Sequence, residues 1–308
     1  MGSERGQGTV EWVGVLLVVS LAMFGLAAAG VRVPGASLAR AVADRILCAA
    51  SLADGCGDEP ALIAAYGNEV GRLARLHMPV IAYEDGSRAV PVDFRRCRST
   101  ECGDASGSGL IHRTDEGLAV SAFVHVVDCR ARGAAESEAG GADCSGKRGG
   151  NLYIQYWTYY ADSATLRGVP VAGSAGFHHD DWEGVQIRIR PDGQVDERAS
   201  SHDGYNGGAR SARNWGSDAD IGPLKDAAEA IGVRAENGWA PETHLLRVSG
   251  GSHAGNTVDF NGFDRYTPGR RVHLIPLEPI AATSTAAFAI SPPWLKRVWL
   301  DPESESTG

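Results

Sequence analysis

The chain has 308 residues, an apolar fraction of 43% and a formal net charge of −9. That length and apolar content support a sizeable buried core. The acidic balance argues against nucleic acid as a partner, because neutralising phosphates takes clustered Lys and Arg. Lys147, Lys225 and Lys296 are the only lysines, so nearly all positive charge is arginine.

In chain order the first element is the uncharged run from Trp12 to Gly30, WVGVLLVVSLAMFGLAAAG. About 20 apolar residues are what a bilayer-spanning helix needs. The run therefore predicts one transmembrane helix and a single-pass membrane protein with an extracytoplasmic body, or one released to the cell surface after processing; the Ala, Gly and Arg usage points to a bacterial source. A cleaved secretory signal has a positive leading region and a small-residue cleavage site. Here the flank MGSERGQGTVE instead ends in an acid set directly against the apolar run. GQGTVE followed by an apolar helix resembles the class III signal of type IV pilin-like and Tad-pilus pseudopilin proteins. The resemblance implies cleavage after Gly6, Glu11 at the head of the helix, and a pilus or secretion apparatus as a partner.

Residues 36–53 and 59–78 read as two packing helices. In the second, Leu62, Tyr66, Val70 and Leu73 fall at helical spacing, and Asp58 stands as N-cap before Pro60. His77 reads as a helix-terminal residue. LAVSAFVHVVDC (118–129) alternates as a strand, and His125 shares the Phe123 face as a half-buried core histidine. Cys48, Cys56, Cys97, Cys102, Cys129 and Cys144 form an even set beyond a membrane segment, which favours disulfides. None has C-x2-C spacing, which argues against a zinc ribbon or a thioredoxin-like motif. Sequence does not fix the connectivity; the local set Cys48–Cys56, Cys97–Cys102 and Cys129–Cys144 is the expectation.

From residue 150 the pattern turns to β structure. NLYIQYWTYY (151–160), VQIRIR (185–190), THLLRVS (243–249) and VHLIPL (272–277) are β-prone, and PDGQ (191–194) marks a hairpin turn. A short helix is expected at 223–232. The fold class is mainly β with a helical N-terminal part: an antiparallel β-sandwich with long loops, preceded by the transmembrane helix and two packing helices. The divisions are 1–30, a disulfide-stapled region 31–149, a sandwich domain 150–300 and a tail 301–308.

The chemistry concentrates in GFHHDDWEGVQIRI (176–189). As a strand, it places Asp181, Glu183, Val185 and Ile187 on one face and Trp182, Gly184 and Gln186 on the other. Two carboxylates therefore share the face that carries the apolar core. Inward carboxylates cost several kcal/mol (roughly) unless paired, hydrogen-bonded or bound to metal. Spaced i and i+2, the pair sits about 7 Å apart and can share a cation. Asp162, His202 and His253 each end a strand beside small residues and could join them. A mixed His/Asp/Glu set suits Zn, Mn or Fe(II), whereas an all-oxygen subset suits Mg or Ca.

GFHHDDWEGVQIRI, with SSHDGYN and GSHAG downstream, resembles the necrosis- and ethylene-inducing-protein-like cytolysins and the related vacuolar-protein-sorting 62-like domains. The resemblance covers roughly residues 150–280 and implies a β-sandwich with a divalent cation, Mg or Ca. Carried over residue by residue, it makes His178, Asp181 and Glu183 metal ligands, with Asp162 as the upstream aspartate. Phe177 and Asp180 occupy positions where the family has Gly and His. His179, Asp180, Trp182, His202 and His253 are then neighbours of the cation or of a ligand. A glycan or lipid head group is the partner expected for such a module. A metal-dependent hydrolase, with Glu183, His202 or His253 in catalysis, is the alternative. GxSxG and HExxH are both absent. A structural surface protein is the third reading. The aromatics Tyr153, Tyr156, Trp157, Tyr159, Tyr160 and Trp182 suit core packing or ligand stacking.

Overall fold

The structure is a computed structural model and describes residues 59–105, 112–130, 141–164, 177–201, 204–206, 238–257, 266–269, 271–277 and 288–305. The run 12–30 with Gly6 and Glu11, the helices expected at 36–53 and 223–232, Cys48, Cys56 and His202 lie outside the described residues. Among the described residues no helix is long and apolar enough to cross a membrane. All of them belong to one compact unit, Asp54–Gly308.

Helix α1 (Glu59–Leu76) forms where the apolar spacing places it, but it is not one rod. Gly67 has φ 80° and ψ 165°, a left-handed conformation open to glycine, and it breaks the helix. The two segments then approach so closely that a Cβ on Gly71 would meet the Ile63 backbone nitrogen at 2.7 Å. Leu62, Val70 and Ala74 are buried. The Tyr66 hydroxyl donates to the Val124 carbonyl at 2.5 Å and Arg75 to the Val272 carbonyl at 3.1 Å, which fixes α1 to the sheet.

Eleven strands follow among the described residues: β1 (Val80–Glu84), β2 (Ser121–Asp128), β3 (Leu152–Ala164), β4 (Phe177–Ile189), β5 (Val195–Ser201), β6 (Gly204–Asn206), β7 (Ala240–Pro241), β8 (Leu245–Val248), β9 (Gly255–Asn256), β10 (Tyr266–Pro268) and β11 (His273–Pro276). One sheet has the order β10-β1-β8-β9; the other runs β11-β2-β3-β4-β5-β6, with β7 on β5. The expected hairpin is present, pairing Ile189 with Val195 across a turn in which Gly193 takes φ 82°. The expectation of purely antiparallel sheets is corrected: β1 pairs β8 and β11 pairs β2 in parallel. Both are pairings between distant chain segments, for which no hairpin imposes the antiparallel sense. Nor do the sheets respect a division at 149/150, since β1 and β2 pair with strands from beyond it.

β3 lies inside the larger sheet and is buried on both faces from Leu152 to Ser163, so its aromatic run has no polar alternation. Tyr153, Tyr156, Trp157, Tyr159 and Tyr160 are each at most 1% exposed, which assigns them to packing. One face, carrying Tyr156, Val185 and Ala199, meets the smaller sheet, where Gly255 lies against Ala199 and Leu246. The other face is covered by coil. Phe94 packs within 6.1 Å (centroid to centroid) of Phe123, Tyr159, Trp182, Phe288 and Trp294. His125 stacks on Trp299 at 3.4 Å and donates to its carbonyl; burial pushes its imidazole down to about 4, so it packs as a neutral ring. Cys97–Cys102 and Cys129–Cys144 are disulfides, as the local pairing predicts.

The expected tail 301–308 is corrected over its first four residues, which are buried. Glu303 accepts hydrogen bonds from Tyr153 (2.8 Å), Arg188 (2.9 Å) and the Trp239 indole (3.0 Å). Beside it the fully buried Arg198 donates to Gln186 and to the Pro302 carbonyl, with its guanidinium 3.6 Å from the Tyr205 ring centroid. Removing one member of a buried charge pair strands the other. Glu303→Ala should therefore lower unfolding stability by roughly 3–5 kcal/mol in urea titration. Glu303→Gln, which keeps the shape, should lose less. A loss below about 1 kcal/mol for Glu303→Ala would remove this contact from the account of stability.

Candidate functional site

The whole of Phe177–Ile189 is strand, so the charged stretch is the far end of β4 and not a loop leading into it. Its register with β3 pairs Tyr160 with Asp181, Thr158 with Glu183 and Asp162 with His179. Asp181 and Glu183 therefore share the inter-sheet face with Val185 and Ile187, as the alternation predicts.

Each of these carboxylates has a protein partner. Asp181 is 7% exposed, and its Oδ2 lies 2.8 Å from His253 Nδ1. Glu183 accepts a very short hydrogen bond from the Ser200 hydroxyl, which itself accepts from the Gly184 N–H at 2.5 Å. His253 is 1% exposed and stacks on Tyr160, with centroids 3.9 Å apart and planes 6° apart. Burial, then the Tyr83 hydroxyl and the charges of Glu183 and Asp181, push the Tyr160 phenol far above its ordinary range. His253 reaches this place because it takes a left-handed backbone, φ 58°, in the SGGSHAG turn between β8 and β9. The turn is pinned where Gly250 N–H donates to Glu84 at 2.6 Å and Ser163 donates to the Gly251 carbonyl at 3.2 Å.

Asp180 interrupts the strand's alternation. It has φ 62°, and the ladder skips the Ala161–Asp180 pair. The interruption brings His178, an alternation apart, round to Asp181, with Nε2 4.0 Å from Oδ1. Asp180 itself turns to the aromatic face. There it accepts two hydrogen bonds from Arg98 Nη2 (2.8 and 2.9 Å), one from Tyr159 (2.7 Å) and one from the Ala289 N–H (2.8 Å). Burial would raise its carboxyl, but the bonds from Arg98, Ala289 and Tyr159 more than offset that and hold it below the usual range. Asp162 is 5% exposed, and its Oδ2 makes no hydrogen bond among the described residues.

The expected constellation thus divides. His178, Asp181, Glu183 and Asp162 stand at one end of the β3–β4 pair, with His253 behind Asp181, but no three of them bring ligand atoms within 4.8 Å of one another. His179 is exposed against the edge of Phe177. Asp180 and Trp182 belong to the aromatic face, Asp180 as an ion-pair partner and Trp182 as core. A second group was not expected: His77, Glu242 and His244, whose ligand atoms all lie within 4.8 Å of one another. Glu242-x-His244 was its only local signal, and His77 is 165 positions from Glu242.

No protein-family model matches the chain, and no curated protein matches it. Among solved structures it is similar to NLPPya in complex with glucosamine, at 15% identity over 70% of this chain and 78% of that one, with a TM-score of 0.33. It is also similar to NLPPya in complex with mannosamine (15%, 70% and 78%, 0.32) and to a non-toxic HaNLP3 protein (12%, 67% and 74%, 0.33). At such TM-scores the likeness carries no inference about the site or its ligand.

The Asp180–Arg98 pair sets a pH expectation. A carboxyl held low in the folded state contributes stability that is complete above its unfolded value, about 3.9, and is lost as pH falls through the lower folded value. Asp180→Asn should lose roughly 1.5–3 kcal/mol at neutral pH, the usual worth of hydrogen bonds to a charged group. Its stability should also fall less steeply below about pH 4. Chemical denaturation at pH 7 and pH 3 reads both, and equal acid sensitivity in the two proteins would contradict the assignment.

Proposed function

We propose that the chain is a membrane-anchored, extracytoplasmic binding module in which His178, Asp181, Glu183 and Asp162 hold a divalent cation and recognise a glycan or lipid head group. The observation that carries this reading is the unpaired Oδ2 of the buried Asp162, which makes no hydrogen bond among the described residues at the end of the strand pair that also holds Asp181 and Glu183. A buried polar atom without a partner is costly, and a cation would relieve it. One oxygen of Asp181 is held by His253 and one of Glu183 by Ser200, the way outer partners orient ligating carboxylates. A bound cation would supply a positive centre for hydroxyl or phosphate oxygens of the ligand. The membrane anchor and the extracytoplasmic address rest on the 12–30 run and the cysteine usage. A pilus or secretion apparatus as partner rests on the pilin-like signal.

The hydrolase reading has less support. His253 is buried beneath Tyr160, so the Asp181–His253 pair is not placed to exchange a proton with a substrate. A purely structural role for the acids would leave the Asp162 oxygen without a purpose.

The test is elemental analysis of the full chain in detergent after equilibration with Ca, Mg or Mn, followed by glycan-array and lipid-vesicle binding with and without chelator. Wild-type protein should retain the cation. Asp162→Asn and Asp181→Asn each remove a charged ligand and should weaken cation binding by more than the roughly 10–100-fold typical of changing an outer partner, and ligand binding should fall with it. Wild-type protein that takes up no Ca, Mg or Mn would overturn the reading.

A further inference from the structure

We infer that His77, Glu242 and His244 form a second, separate metal site, selective for zinc or a similar transition-metal ion. His77 follows the end of α1, and Glu242 and His244 flank Thr243 between β7 and β8. His77 Nδ1 lies 2.8 Å from Glu242 Oε1 and 3.0 Å from Oε2; His244 Nδ1 lies 3.1 Å from the same Oε1. The imidazole planes are 12° apart with centroids 6.1 Å apart, so the carboxylate sits between two nearly parallel rings. The three side chains are only 10%, 7% and 19% exposed, respectively. His244 holds a left-handed backbone, φ 58°, an uncommon conformation for a side chain with a Cβ that persists where the surroundings impose it.

Two imidazole nitrogens and a carboxylate are a zinc donor set that leaves a position open. Metal–ligand lengths of about 2.0–2.2 Å in tetrahedral array put ligand atoms roughly 3.3 Å apart; the two imidazole–carboxylate spacings here are 2.8 and 3.1 Å, and all three ligand atoms lie within 4.8 Å of one another. The nitrogen donors select against Mg and Ca, which prefer oxygen. The ion would take the two Nδ1 atoms that face Glu242, so each imidazole would carry its proton on Nε2. A further acid acts on the group electrostatically from outside the set whose ligand atoms lie within 4.8 Å. Glu197 lies in β5 with Oε1 held by the Thr243 N–H at 2.7 Å and hydroxyl at 2.5 Å. Its Oε2 is buried without a hydrogen bond among the described residues, and Glu242 and His244 both act on it electrostatically. Joining the residue after α1 to the β7–β8 connection, the ion would fasten the helix to the sheet.

The full chain, stripped with chelator and desalted, is given zinc chloride, then cobalt chloride in a parallel sample. About one zinc per chain should be retained in wild-type protein and in Asp181→Asn, and lost in Glu242→Gln and His244→Gln. Cobalt should give the intense visible bands of a tetrahedral centre. Zinc retained undiminished in His244→Gln, or no zinc retained by the wild type, would overturn the site. Should the variants fail to fold, the cobalt spectrum of the unaltered chain decides: a weak octahedral spectrum overturns it. Because Asp181→Asn reports only on the other cation, failure of one site is read apart from failure of the other.

Discussion

The β3–β4 ladder is the constraint on which the rest of the structure depends. It runs from Leu152↔Ile189 to Ala164↔Phe177, and β3 is buried on both faces along nearly its whole length. A strand pair that long carries its neighbours into the interior whatever their chemistry. Along its middle it buries aromatic rings at little cost; toward the Ala164↔Phe177 end it carries Asp162, Asp180, Asp181 and, in part, Glu183 out of water. Every polar arrangement around that end answers the same electrostatic demand. Arg98, Tyr159 and Ala289 satisfy Asp180, His253 satisfies Asp181, and Ser200 satisfies Glu183.

The opposite end of the sheet meets the demand with a different device. Arg188 and Arg198 are drawn inside by the same ladder and its neighbour β5, and the C-terminal segment returns to supply Glu303 and the Pro302 carbonyl. Arg198 also lies over Tyr205 and Trp239, whose ring faces offset part of its desolvation. Buried charge is thus matched locally, acid by base at one end and base by acid at the other. Such pairing contributes more to a unique arrangement than to net stability, since an apolar substitute of equal volume is often as stable.

Much of this was legible in the sequence. Period-2 alternation put Asp181 and Glu183 on the core face, PDGQ marked the β4–β5 hairpin, and cysteine proximity gave both disulfides among the described residues. These signals are local, and local rules carry them. Two kinds of feature were not legible. The parallel pairs β1–β8 and β2–β11 join segments that no turn chemistry links. The group of His77, Glu242 and His244, and the insertion of Glu303 between Tyr153 and Trp239, depend on where distant loops come to rest. The glycine break at Gly67 was present in the sequence, but helical spacing on either side of it concealed the break.

Arg98 occupies the short ring closed by Cys97 and Cys102, five positions apart, and from that ring it holds Asp180 in its left-handed turn. That turn sets the facing of His178 against Asp181. A covalent bond in a surface loop therefore extends its hold, through one guanidinium, to the alignment of the acid row. Thiol chemistry at the surface and the geometry of the buried carboxylates are two ends of a single mechanical linkage.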